Sequence, residues 1–64
     1  MIKVIYEAIY ETNENEPWDM IILEGLFDDN LTTTELIMEL EDIIHYNWKR
    51  GRLGNWRIVD ENLA

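Results

Sequence analysis

The sequence predicts a small α+β domain of ββαβ order, an antiparallel sheet with one helix packed on one face. Three observations predict it. Residues 2–10 alternate with a period near two in β-branched and aromatic side chains. Residues 33–49 carry apolar side chains at helical spacing behind a capping signature. A short β-rich run, Trp56-Arg57-Ile58-Val59, follows a glycine-containing turn signal.

In the first strand, Ile2, Val4, Tyr6, Ala8 and Tyr10 make an apolar face that should meet the core. Lys3, Ile5, Glu7, Ile9 and Glu11 make a mixed face. Thr12 to Pro17 reads as a polar loop. Residues 18–27 have two readings. The apolar run Met20-Ile21-Ile22-Leu23 favours a strand pairing back on the first. The alternative is a short helix with Pro17 at its first position, giving βααβ; Gly25 weakens that reading, at about 1 kcal/mol relative to Ala.

Helix 33–49 follows from Thr32-Thr33-Thr34-Glu35, in which Thr32 takes the N-cap and Glu35 the N3 position. Ile37, Leu40, Ile44 and Trp48 form one stripe, widened by Leu36 and Ile43, while Glu39, Asp42, His45 and Lys49 fall on the other side. Gly51 reads as the residue just past the helix end, Leu53-Gly54-Asn55 as a turn, and 60–64 as a frayed tail. The whole chain, 1–64, is read as one domain.

Composition limits function. The chain of 64 residues holds 14 acidic and 5 basic residues, a net charge of −9. Residues 1–48 hold twelve acids and one base (−11), and 49–64 four bases and two acids (+2). An acidic chain is a poor match for a phosphate backbone. Neither Cys nor Ser occurs, which excludes nucleophilic triads built on them, and the three glycines are scattered, so there is no phosphate-binding loop. No enzymatic activity and no cofactor are expected. The hydrophobic share of 47% favours a folded chain over a disordered one, and no apolar run approaches the length of about 20 needed for a membrane span. No targeting segment is expected, because Glu7 and Glu11 interrupt the first residues. A cytoplasmic location follows as an expectation, the host cytoplasm if the chain is phage-encoded.

Three constellations carry candidate chemistry. His45 behind Glu41 and Asp42 reads as a surface histidine in a charge network before it reads as a switch or a ligand. Asp28, Asn30, Thr32 and Glu39 have calcium-loop spacing, but Thr33 stands where that loop requires glycine, so no metal is expected. Residues 48–57 interleave Trp48, Trp56 and Leu53 with Lys49, Arg50, Arg52 and Arg57; that pattern suits weak single-stranded nucleic-acid binding, a protein-contact hot spot, or core anchoring by the two tryptophans.

The carboxylates carry the largest functional weight. Glu7, Glu11, Asp19, Glu24, Asp28, Asp29, Glu35, Glu39 and Asp42 are the candidate acidic surface; Ile5, Ile9, Trp18, Tyr46, Arg50, Arg52 and Trp56 are the candidate apolar and Trp/Arg patch. Helix positions four apart lie about 6 Å apart along the axis, similar in order to phosphate spacing on DNA. The leading expectation is therefore a small interaction module, an inhibitor or accessory factor. It docks on a basic surface of a nucleic-acid-handling protein such as a DNA-binding enzyme or its regulator. Small size and high acidity resemble the style of phage-encoded or mobile-element inhibitors, DNA mimics among them. A homodimer assembling through sheet pairing is the second expectation, and nucleic-acid binding the third.

Overall fold

Residues 2–10 and 19–27 each have the strand composition read above, and in the computed structural model they pair antiparallel over their full lengths. The structure describes residues 1–12 and 16–59. Strand β1 (Ile2–Tyr10) is followed by β2 (Asp19–Phe27), helix α1 (Thr33–Asn47) and β3 (Arg52–Val59). The order in the sheet is β2-β1-β3, with both neighbours antiparallel to the central β1. The ββαβ reading and the strand assignment for 18–27 therefore hold. The loop residues 13–15 and the tail 60–64 lie outside the described residues.

The alternation of β1 sets the core. Val4, Tyr6 and Ala8 are buried on the helix side, against Leu36, Leu40 and Ile44, which recur every four residues along α1. Leu40, Ile44, Val4 and Ala8 are fully enclosed. Phe27 closes one end, its ring edge-on to Tyr6 at 6.4 Å. Around this centre pack Ile2, Leu23, Leu31, Ile43, Trp48, Leu53 and Trp56. No buried side-chain polar atom lacks a partner among the described residues.

Both halves of the capping box form. Thr32 Oγ1 accepts from Glu35 N at 3.2 Å, and Glu35 Oε1 accepts from Thr32 N at 2.9 Å. Two otherwise orphaned donors are thereby satisfied.

Three local readings need correction. The helix ends at Asn47, two residues earlier than 49: Asn47 Nδ2 donates to the Ile43 carbonyl at 2.9 Å, and Trp48, already extended, donates its N–H to Ile44 at 2.8 Å. Gly51 is not a left-handed helix terminator, since no described glycine has a positive φ. It closes a turn, donating to the Trp48 carbonyl at 3.1 Å, and it is glycine because a Cβ there would stand 2.7 Å from Ile44 Cγ2. Leu53-Gly54-Asn55 is not a turn. β3 already runs from Arg52, and the pairing shifts between Tyr6↔Trp56 and Ala8↔Leu53, a β-bulge that sets Gly54 and Asn55 against Glu7. Glu7 Oε1 accepts from Asn55 N at 3.0 Å, and a Cβ on Gly54 would meet that same oxygen at 2.8 Å.

Leu40→Ala should cost about 2–5 kcal/mol, comparable with the few kcal/mol that a core of this size supplies. Thr32→Ala should cost only about 1 kcal/mol. Urea titration followed by circular dichroism is expected to show the first variant largely unfolded and the second folded with a lower midpoint. Burial raises the Tyr6 phenol above its ordinary value of 10.0. The unfolded chain therefore loses that proton first, and stability falls as pH rises from about 10. Tyr6→Phe should flatten that alkaline loss in a pH series of melting temperatures.

Candidate functional site

Among the described residues one helix covers one face of the sheet and nothing covers the other, so the functional candidates divide between the outer face of α1 and this bare face of the sheet. The core stripe at Leu36, Leu40 and Ile44 directs Glu35, Glu39, Asp42 and Tyr46 outward, with Met38 beside them. Tyr46 is 91% exposed and Met38 60%. Glu39 and Asp42 are exposed and take part in no ion pair or side-chain hydrogen bond among the described residues. This is an acidic helix face with two exposed side chains suited to apolar contact.

The other candidate carboxylates are tied to local structure. Glu7 anchors the bulge, and Glu35 is the cap. Glu11 pairs with Arg50 at 3.1 Å, and Glu24 with Lys3 at 3.6 Å. Asp19 Oδ1 accepts from Met20 N and Asp28 Oδ1 from Asn30 N, each at 2.8 Å. Asp29 lies 3.6 Å from the Met1 amino group. The nine acids therefore do not share one plane. Asp28 and Asn30 belong to the turn into α1, and among the described residues no group of three or more His, Asp or Glu side chains is placed to hold a metal.

The bare sheet face follows from the register. Lys3, Ile5, Glu7 and Ile9 of β1 stand beside Leu26, Glu24, Ile22 and Met20 of β2. On the other side Val59, Arg57 and Arg52 of β3 oppose Lys3, Ile5 and Ile9. Trp18 stands beside Ile9 at one end of this face, with the Arg52 guanidinium 4.8 Å from the centre of its ring, and Ile5 lies further along β1 on the same face. Tyr46 is not with them. Met20, Ile22 and Leu26 complete the apolar surface of this face, exposed by 48, 62 and 57%. The sequence pattern singled out none of these three; the signal was there, in a β2 run apolar at consecutive positions and so apolar on both faces. The face is mixed in charge, with Lys3, Arg52 and Arg57 against Glu7 and Glu24.

Segment 48–57 is used internally. Trp48 stacks on Tyr10 with ring centres 4.8 Å apart and planes 16° from parallel. Trp56 packs against the core, Arg50 is held by Glu11, and His45 Nε2 hydrogen-bonds the Gly51 carbonyl at 3.0 Å. Neither tryptophan ring stands free as a stacking platform.

No family model, no curated protein and no solved structure matches this chain.

Trp48→Ala should cost about 2 kcal/mol or more, through lost burial and lost stacking. Tyr46→Ala should stay within about 0.5 kcal/mol. Paired denaturant midpoints check the contrast, and equal effects would contradict the division between core ring and surface ring.

Proposed function

We propose that this chain is a non-catalytic interaction module, an inhibitor or accessory factor, that docks on a basic surface of a second protein. The observation that supports this reading is the outer face of α1. There Glu39 and Asp42 stand unpaired beside Tyr46 and Met38, in a chain of net charge −9. Charge in excess of the 2–8 usual for small soluble domains accelerates encounter with a cationic patch. Tyr46, and Met38 through its adaptable thioether, then supply the desolvated contact that slows release. Two acids one helical turn apart match cations that would otherwise hold adjacent phosphates, so a nucleic-acid-handling protein is the suitable target class.

The test is capture from a cell lysate on immobilised chain, followed by kinetics on the protein captured. Raising salt from about 50 to about 500 mM is expected to lower the association rate by roughly tenfold or more. Glu39→Lys with Asp42→Lys should abolish capture, and Tyr46→Ala should raise the dissociation rate. Binding indifferent to salt and to the charge reversal defeats this reading.

A further inference from the structure

The two edges of the sheet are built differently. The β3 edge carries the Gly54–Asn55 bulge and the exposed Arg52 and Arg57, features that discourage further strand pairing. The β2 edge carries none of these. It pairs with β1 over nine residues without irregularity, and it contains no Lys, Arg or Pro between Asp19 and Phe27. Every second residue of such an edge turns its N–H and C=O outward, and among the described residues no strand pairs with them. Its side chains are apolar on both faces: Ile21 is 40% exposed on the helix side, and Met20, Ile22 and Leu26 are more exposed on the bare side. On the helix side of β2, Phe27 and Leu23 close on the core, while Ile21 is left exposed.

From this edge we infer that the chain is a homodimer in which β2 pairs antiparallel with β2 of a second copy, making one six-stranded sheet. Full overlap of the nine residues centres the twofold axis on Leu23. Met20 then opposes Leu26 of the partner, Ile21 opposes the partner's Gly25, and Ile22 opposes the partner's Glu24. No acid opposes an acid. The two Glu24 side chains sit on a diagonal of about 7–8 Å, and each is held by its own Lys3 at 3.6 Å. That neutralisation is why the edge fits a second copy better than a basic strand from another protein. An axis perpendicular to the sheet sets both helices on the same side, flanking a trough floored by Ile21 and Leu23 of each copy. The inference is independent of the basic-surface reading, because α1's outer face stays free in the dimer.

Sedimentation velocity of the full chain between about 5 and about 500 µM reads the mass directly, and twice the chain mass is expected toward the upper end. The chain has no cysteine, so introduced thiols report the register. Leu23→Cys brings two thiols into directly opposed positions, about 4.5–5.5 Å between Cα atoms, within disulfide reach. Mild oxidation should link it. Ile22→Cys, displaced by two residues from its own copy, should not link. Because Leu23 packs against the core, a mixture of the exposed variants Met20→Cys and Leu26→Cys gives the same reading without touching it, through a mixed disulfide. A wild-type monomer across the whole range overturns the inference, as does a dimer in which Ile22→Cys links and the Met20→Cys/Leu26→Cys mixture does not.

Discussion

The contact of one helix stripe with one row of β1 is what the remainder of the molecule depends on. Leu36, Leu40 and Ile44 close over Val4, Tyr6 and Ala8, and the most enclosed side chains of the protein lie in this seam. A three-stranded sheet has two faces and two edges, and one helix covers one face. Among the described residues nothing covers the second face. The apolar residues there and along β2 are the consequence of a core with a single covering layer. They are apolar surface that this single covering layer leaves exposed.

The charge of the chain is sorted by the same geometry. Carboxylates near chain reversals are committed to backbone amides: Glu35 at the helix start, Asp28 at the turn before it, Glu7 at the bulge. These bonds satisfy donors that secondary structure leaves over. Among the described residues, the candidate acids left without such a bond or an ion pair are Glu39 and Asp42, on the outer side of α1. Among the described residues, the helix is where unpaired acids, Glu39 and Asp42, stand beside an exposed aromatic ring, Tyr46.

Much of this was legible in local patterns. The alternation of β1 and the Thr32–Glu35 box are short-range signals, and both elements appear where those signals place them. Glu39 and Asp42 were legible as outward-facing for the same reason, since a helical period separates the two sides of a stripe. The misread glycines share one physical cause. Gly51 and Gly54 resemble turn and terminator glycines, yet each is required by a side chain that approaches from elsewhere, Ile44 in one case and Glu7 in the other. The role of Glu7 depends on a partner 48 residues away, and the exposure of Met20, Ile22 and Leu26 depends on which strand ends up at the edge. Pairing across such separations is set by the assembled sheet, so a window of neighbours shows the apolar run of β2 but not which of its faces stays exposed.

The Glu7–Asn55 bond also bears on the order in which the chain comes together during synthesis. Among the four elements the central strand comes first in chain order, and one of its two neighbours, β3, comes last. Until β3 has left the ribosome, β1 has an unpaired side and the Glu7 carboxylate has no amide to hold. The hairpin of β1 and β2 must wait in that state, because closing so long a separation is slow compared with local structure. A chain in which β3 has not yet docked therefore has two open strand edges, β1 and β2, where the finished sheet has β2 and the bulged β3.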